Sequence, residues 1–537
     1  PMKINNLIYI VLLGIIVSLT SCEDDDSLFS GNENYITSFR LVQQGDSYAG
    51  IIKGDSLILS IPENLSLEGA TMEILCSENA RISPDPGEVE DWGKLQNFTV
   101  TAYNNTQRVY KYIVRRTLTG SEGDVRLTSV EDLEAFAAQG INKVNGNLVI
   151  GKEEGTVKED SLTSLAALAS LKEVVGTVTI NPTYAGTSFA GLENLEQVGG
   201  LVMGRVIQNA TIGLRWIREI KLPNLKKVAS ELTFRADTVE TLSLPALEEV
   251  GRNLSIQIKD VKDIDFSALS VIGENLSMKV NGVLNAPEKL TFPKLSLIGN
   301  QLVLSNVYRV RELAFPALKS ASAIKLEQMN AVETLDFTQL EQVADYFELW
   351  WTHQVKEMNF PSVKSLGGFK IYYIQNLEKV SLESLTEVGL RGFSIDASDK
   401  IQELSLPALT RVKGDFVLTR MAITEVSSLR ALKEVDGNFD FSSMSALTAF
   451  NGFPNLTTVG GNFTLSGMAI SELKGFDALT SIGGSLSLSS LNEVTSIDAF
   501  SALKSIGSQC SLNGLNKLQD ISLLAQFKGV HLNNCIL

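Results

Sequence analysis

The residues best suited to ligand binding are two adjacent tryptophans, Trp350 and Trp351, in a chain that holds only 4 tryptophans. Two adjacent tyrosines, Tyr372 and Tyr373, follow one sequence repeat later. Aromatic rings that reach solvent beside polar groups bind sugar rings or protein side chains, because a flat, rigid ring provides contact area at low cost in conformational entropy. We therefore predict that these four residues form a ligand- or partner-binding surface.

Charged residues near these aromatic residues in the repeat alignment could provide the polar contacts of such a surface. They are Glu348, Lys370, Asp396 and Arg420. Two structural alternatives stay open: one tryptophan turns inward at a strand end, or the patch packs beneath a loop or a partner chain. Replacing Trp350 and Tyr372 with alanine should weaken binding and leave the melting curve nearly unchanged.

The sequence predicts no catalytic site, no metal site and no cofactor. The only two histidines, His353 and His531, lie far apart, and there is no Ser-His-Asp arrangement, HExxH motif or Walker loop. The 4 cysteines show no CxxC spacing; Cys510 is expected in the core, with a bond to Cys535 left open. The enzyme alternative is a β-helical polysaccharide lyase or hydrolase that uses aligned carboxylates, here Glu327, Glu348, Asp396 and Asp440.

A repeat of 22 to 26 residues organises most of the chain and must position these side chains. Residues 239–256, VETLSLPALEEVGRNLSI, recur with changed letters at 261–278, 401–418 and 444–465. Such a period predicts a solenoid, in which each repeat buries its apolar face by stacking on its neighbours. We call one stacked repeat a rung and expect about sixteen rungs.

Each repeat contains a short alternation of apolar and polar residues, as in Leu254-Ser255-Ile256. Alternation with period two places Leu254 and Ile256 inside and Ser255 outside on a strand of a parallel sheet. The glycine after the preceding aliphatic residue and the proline of LPxL mark the corners, where short helical pieces are an alternative. Aligning the repeats puts Trp350 and Trp351 in the same columns as Tyr372 and Tyr373.

The pattern LPxLxxVGGxLxI resembles the leucine-rich L domain of the insulin and epidermal growth factor receptor families and of related fungal wall proteins. This resemblance covers residues 128–537 and implies a mainly β fold, a right-handed β-helix or leucine-rich-repeat-like solenoid. The cysteine-rich modules and the kinase domain of those receptors have no counterpart here. The resemblance therefore implies extracellular recognition of a partner on a β-face, and not signalling.

The first residues are expected to direct export. Residues 1–21 have a short positive start and an apolar run of signal-peptide length. The run ends in Leu19-Thr20-Ser21-Cys22, which resembles a bacterial lipobox, and this resemblance implies lipidation of Cys22. The acidic residues 23–26 resemble the export tag of Bacteroidetes surface lipoproteins. Together they predict a protein on the cell surface, held in the outer membrane by its lipid anchor alone.

Residues 22–34 are polar and are expected to be a flexible tether. Residues 35–117 contain several short strand-like runs between turn signals, which predicts a small antiparallel β-sandwich. This segment resembles the immunoglobulin-like domains that follow the lipid anchor in many Bacteroidetes surface lipoproteins. Residues 118–127 are expected to be a linker, and residues 128–537 the solenoid.

Charge excludes some partners and leaves others open. The net charge of −16 and the lack of a basic cluster in the sequence argue against nucleic acid as a partner. The expected function is non-catalytic binding of a protein or a glycan at the cell surface. A second hypothesis is an accessory subunit of an outer-membrane nutrient transporter with a TonB-dependent barrel and a lidding lipoprotein.

Overall fold

The computed structural model describes residues 31–153, 155, 157–158, 161–280, 286–527 and 529–533. The predicted signal peptide, Cys22 and Cys535 lie outside the described residues. The chain divides into two compact units between Thr117 and Leu118. It is mainly β, with 43% of its residues in strands and 4% in helices.

The first unit consists of two small sheets that share one apolar core around Trp92, Phe98 and Tyr112. Its strands are Ile36–Gln43, Asp46–Ala49, Ile51–Lys53, Ser56–Pro62, Thr71–Cys76, Arg81–Ser83, Gln96–Thr101 and Gln107–Thr117. One pairing, Ser56–Pro62 with Gln107–Thr117, is parallel. The other pairings of this unit are antiparallel, and the parallel one arises because the chain passes between its two strands through the other sheet and the hairpin that ends in Gln107–Thr117.

The second unit is a β-solenoid of about 17 rungs, which confirms the predicted fold class. Its main parallel sheet has 29 strands. In many rungs a strand of two residues precedes the corner: Lys143–Val144, Lys227–Val228, Glu249–Val250, Val271–Ile272, Leu297–Ile298, Arg411–Val412, Glu434–Val435, Thr458–Val459, Ser481–Ile482 and Ser505–Ile506.

The strands after the corner carry the outward face. They are Val125–Leu127, Leu148–Ile150, Leu232–Ser243, Leu254–Asp265, Leu276–Val280, Gln301–Ser305, Phe416–Thr419, Phe439–Ser442, Phe463–Ser466, Leu486–Ser489, Cys510–Asn513 and Val530–Asn533. Other strands run through the corner without a break: Glu173–Ile180, Gln197–Met203, Ser320–Glu327, Gln342–Trp350, Ser365–Tyr372 and Glu387–Asp396. One more strand, Glu219–Lys221, lies before an LPxL corner.

Two smaller parallel sheets form a second side of the solenoid, where the alternation TLSL predicts another face. Their strands are Lys289–Thr291, Glu312–Ala314 and Thr334–Asp336, then Glu357–Asn359, Lys379–Ser381 and Glu403–Ser405. At the LPxL corner the chain mostly makes simple turns. Within the solenoid, short 3-10 helices occur at Ala166–Leu168, Ser427–Leu429 and Asp498–Phe500.

The core is a set of stacked apolar columns that runs along the solenoid. Leu254 and Ile256 are both fully buried, and their partners in the next rung are Leu276 and Met278. Phenylalanine rings also stack from rung to rung, as in Phe292 and Phe315, whose centroids lie 5.1 Å apart. Cys510 lies in such a column, buried and paired with Leu486. Each rung thus removes apolar surface from water by covering the rung before it.

The corner glycines are required by close approach between rungs. A Cβ atom on Gly273 would lie 1.9 Å from the backbone oxygen of Gly251, and one on Gly299 would lie 1.9 Å from that of Gly273. None of these three glycines has a positive φ. The sequence reasoning assigned them to a sharp turn; the structure shows that missing side-chain volume is the physical reason.

The segment 118–127, expected to be a linker, belongs to the solenoid unit. Its strand Val125–Leu127 pairs in parallel with Leu148–Ile150, and the Thr119 amide donates to Asn142 Oδ1 at 2.6 Å. An α-helix, Val130–Ala138, follows. Its capping box joins Ser129 and Asp132, and it buries Leu133 and Phe136 on the first rungs. The weak repeat signal here reflects this change from strand to helix.

Candidate functional site

Parallel register brings the predicted aromatic residues together. Trp350 pairs with Tyr372 in the next rung, and their ring centroids lie 6.1 Å apart. The centroids of Tyr372 and Tyr373 lie 6.4 Å apart. We define Trp350, Trp351, Tyr372 and Tyr373 as the aromatic surface. Its members come from two adjacent rungs, as the repeat alignment predicts.

The four rings differ in exposure. Trp351, Tyr372 and Tyr373 are 43%, 36% and 41% exposed. Trp350 is half-buried, and its indole Nε1 is buried with no hydrogen-bond partner among the described residues. Trp350 therefore forms the edge of the aromatic surface, and the other three rings form its accessible part.

Two lysines contact the half-buried Trp350. The Nζ atom of Lys370 lies 5.2 Å from the Trp350 ring centroid, and that of Lys325 lies 5.7 Å from it. Each ammonium group is attracted to the electron-rich ring face, by about 0.5–1 kcal/mol at an exposed site. Lys325 also forms an ion pair of 2.9 Å with Glu327. These contacts fix the orientation of Trp350 and leave polar groups at its edge.

Two residues of the aromatic surface have a backbone conformation that is unfavourable for any residue with a side chain. Trp351 has φ 50° and Tyr373 has φ 55°, both in the left-handed region. A non-glycine residue there costs about 1–2 kcal/mol. Gly467 and Gly514 occupy the equivalent position in later rungs, with φ 63° and 68°. The same left-handed φ recurs in this column at Gln328, Ala397 and Ser443, with φ 55°, 54° and 59°, so it belongs to the turn of the solenoid. What distinguishes Trp351 and Tyr373 is the size and the exposure of their rings.

Asp396 and Arg420 extend the site beyond the aromatic rings. Asp396 follows Tyr372 in the same column, whereas the sequence reasoning placed it in an adjoining one. The Arg420 Nη2 atom lies 2.9 Å from both carboxylate oxygens, and Thr419 Oγ1 also donates to the carboxylate. Burial acts to raise the pKa of Asp396, but these hydrogen bonds and the charge of Arg420 outweigh it and hold the pKa below its usual value.

The other two predicted polar residues, Glu348 and Lys370, are partners in adjacent rungs. Glu348 is half-buried and Lys370 is exposed. Neither forms an ion pair within the described part of the chain, where the recorded contact of Lys370 is the Trp350 ring. All eight predicted binding residues thus lie on one outward face, with Asp396 and Arg420 tied to each other and Lys370 open to a ligand.

Sequence reasoning missed several neighbours of the aromatic surface. His353 packs edge-on against Tyr373, with centroids 5.2 Å apart, and burial lowers the pKa of His353. On the other side of the rungs, Arg391 lies 5.1 Å from the Tyr346 ring and pairs with Asp345. Arg391 follows Leu390, an 84% exposed residue of an irregular strand. Leu390 and Arg391 are inserted into the repeat pattern, and this insertion is the sequence signal that could have located the irregular strand.

One carboxyl group near the site has a pKa shifted in the opposite direction. Burial raises the pKa of Asp440, and the charge of Asp396 adds to this rise, against a hydrogen bond from Ser442. Glycoside hydrolases use a pair of carboxyl groups of this kind, in which one has a lowered pKa and the other has a raised pKa. Here the lowered member, Asp396, is already engaged by Arg420 and Thr419.

Within the described ranges, no three His, Cys, Asp or Glu side chains lie close enough to hold a metal ion. In the same residues, no helix is long and apolar enough to cross a membrane. Comparison with protein-family models and with curated proteins gave no match to the chain.

Proposed function

We propose that this chain is a non-catalytic binding protein that recognises a protein or glycan ligand through the aromatic surface. The observation that carries the proposal is the group of three rings from adjacent rungs, Trp351, Tyr372 and Tyr373, which are 43%, 36% and 41% exposed. The fold accepts glycine in the column of Trp351, as at Gly467, and serine in the column of Tyr372, as at Ser466. Large rings that reach solvent there are best explained by contact with a ligand.

The polar groups around the rings support a binding site of this kind. Ligand-binding surfaces combine apolar or aromatic contacts with a few polar groups that fix orientation. Lys370 and Glu348 provide an exposed donor and a half-buried acceptor beside the rings. The ion pair of Asp396 and Arg420 borders the site in the next rungs.

The engagement of Asp396 favours binding over polysaccharide cleavage. A catalytic carboxylate must be free to attack or to activate water. Asp396 instead accepts hydrogen bonds from Thr419 and Arg420, which hold it in place. We therefore expect a panel of polysaccharides to release no soluble product when incubated with the purified protein.

Surface anchoring is part of the same proposal. Lipidation of Cys22 would hold the chain at the outer membrane, with residues 22–34 as tether and the β-unit 35–117 as spacer. The transporter hypothesis makes a separate expectation: the lipidated chain co-purifies with a TonB-dependent barrel in detergent. A free-standing receptor binds its ligand when purified alone.

The decisive variant replaces Trp351, Tyr372 and Tyr373 with serine, the residue type found in these columns in later rungs. We expect loss of binding by about a hundredfold or more on a glycan array and in pull-downs, because three ring contacts are removed. The matched control replaces Ser466 and Ser489, in the same column, with alanine and keeps binding. Equal binding by the serine variant and the parent would remove the aromatic surface as the site.

A further inference from the structure

A short hairpin interrupts the solenoid between its third and fourth corners. Strands Arg205–Ile207 and Ala210–Ile212 pair antiparallel around Gln208 and Asn209, whose φ values are 47° and 67°. Two left-handed residues in a two-residue loop make a tight hairpin turn. The repeat frame predicts an insertion at residues 204–215 but not its shape.

The hairpin closes back onto the outward face of the next rungs. The Leu214 amide donates to the Arg235 carbonyl at 2.9 Å, and Thr211 Oγ1 donates to Gln257 Oε1 at 3.4 Å. A Cβ atom on Gly213 would lie 2.7 Å from the Ala236 amide, so the hairpin packs backbone against backbone. Its position is therefore fixed relative to the face.

A cleft of about 450 Å³ lies between the hairpin and this face. Thr211 and Gly213 form its hairpin side, and Gln257, Lys259 and Lys279 belong to its sheet side. Lys279 and Arg235 are the partners of Gln257 in the rungs on either side. Lys259 and Lys279 thus line the cleft beside Gln257, and Arg235 borders it in the preceding rung. We call this site the basic cleft.

None of these three cations forms an ion pair with a described residue, although the charge of Glu231 acts on Arg235. Lys259 and Lys279 are exposed and make no ion pair or hydrogen bond with any described residue. The Nε atom of Arg235 is buried without a hydrogen-bond partner in that same part of the chain, and burial lowers the pKa of this guanidinium. Among the described residues that line the cleft, the one carboxylate belongs to Asp237, which lies 3.9 Å from Arg215.

Elsewhere on the same solenoid, lysines of adjacent rungs are neutralised. Lys226 pairs with Glu196 at 3.1 Å, and Lys227 pairs with Glu249 at 2.8 Å. The chain has 62 acidic residues against 46 basic ones, so carboxylates are in excess. Lys259 and Lys279 thus keep their charge unpaired at this cleft, and the Arg235 Nε–H beside them has no acceptor among the described residues.

We propose that the basic cleft binds an anionic oxyacid group, such as a sulfate, phosphate or carboxylate. Arg235 and the two lysines provide the charge, and Gln257 and Thr211 provide hydrogen-bonding groups of fixed position. The cleft lies on the outward face that also carries the aromatic surface, in the column that continues from Lys279 through Ser305 and Glu327 to Trp350. Its binding does not depend on the aromatic rings.

The test is calorimetric titration of the full chain with inorganic sulfate, inorganic phosphate, a heparin-derived sulfated tetrasaccharide and a neutral cellotetraose. The variant is Lys259→Gln with Lys279→Gln. The matched control, Lys226→Gln with Lys227→Gln, removes the same charge from paired lysines. We expect an anionic probe to bind the parent about tenfold more tightly than the Lys259/Lys279 variant, with the control unchanged.

The probes also separate the two sources of the anionic group. Binding of inorganic sulfate or phosphate alone supports a small-anion site, and tighter binding of the sulfated tetrasaccharide supports an acidic glycan. Equal binding of cellotetraose, equal loss in both lysine variants, or no binding of any anion would overturn the basic cleft. The serine variant of the aromatic surface should keep anion binding, so the two sites can fail independently of each other.

Discussion

Two stretches of the outward face have the same backbone arrangement but present different side chains to solvent. The rungs of Trp350 and Tyr372 present aromatic rings, whereas the rungs of Ser442, Ser466 and Ser489 present hydroxyl groups in the same column. Their inward residues are alike, with Phe347 and Phe463 both fully buried. The comparison teaches that inward columns and corner glycines determine the fold, and that outward columns are free to carry a binding site.

Replacing a corner glycine should have the largest effect on stability, because both stretches depend on the close approach of rungs at these glycines. We expect Gly273→Ala to lower the free energy of unfolding by about 3 kcal/mol or more, since the new Cβ would lie 1.9 Å from the Gly251 oxygen. Gly123→Ala, where a Cβ meets nothing within 4 Å, is the control. Urea unfolding followed by circular dichroism measures both; equal midpoints would contradict the close-approach explanation.

Moving a ring into the hydroxyl stretch should have an intermediate effect. Gly467→Trp places a large residue at φ 63°, where Trp351 lies at φ 50°. We expect a loss of about 1–2 kcal/mol in unfolding free energy, the cost of the left-handed region for a side chain. Gly467→Asn, which tolerates this region better, should cost less. A tryptophan variant with an unchanged urea midpoint would contradict a left-handed cost in this column.

Asp440, at the border of the two stretches, should give a smaller effect that depends on pH. Its folded pKa is raised, so folding favours the protonated form. Ionised Asp440 therefore lowers the free energy of unfolding. This loss is absent below roughly pH 4, the ordinary pKa range of an Asp carboxyl, and it develops as pH rises through the folded pKa.

Asp440→Asn should therefore stabilise the protein at pH 7, and this advantage should shrink as pH falls toward 4. Urea midpoints at both pH values measure it, with the exposed Asp477→Asn as control. An advantage that is equal at the two pH values would contradict the role of burial and of the nearby Asp396 charge.

The sequence predicts those parts of the structure that the repeat determines. The alternation in Leu254-Ser255-Ile256 gives the direction of each side chain, and the repeat length gives the pairing of Trp350 with Tyr372. The strands of residues 35–117 are also recognisable, because turn signals separate them. Register is thus readable wherever one face of a strand must be buried.

The remaining features depend on contacts that the repeat does not encode. Trp350 and Trp351 differ in exposure because Trp351 adopts a left-handed φ and because Lys325 and Lys370 contact Trp350. Residues 118–127 look like a linker until Val125–Leu127 pairs with the first rungs. The basic cleft is formed by three cations from different rungs beneath an insertion, so no local motif marks it.

The most direct measurement compares the parent chain with the variant Trp351→Ser, Tyr372→Ser and Tyr373→Ser, in binding and in urea unfolding together. This variant gives the aromatic stretch the surface of the hydroxyl stretch. We expect ligand binding to be lost and the unfolding free energy to change by less than about 1 kcal/mol, since all three rings are exposed and later rungs carry serine in the same columns. A variant that unfolds, or that folds and still binds, would contradict the separation of fold and function along this face.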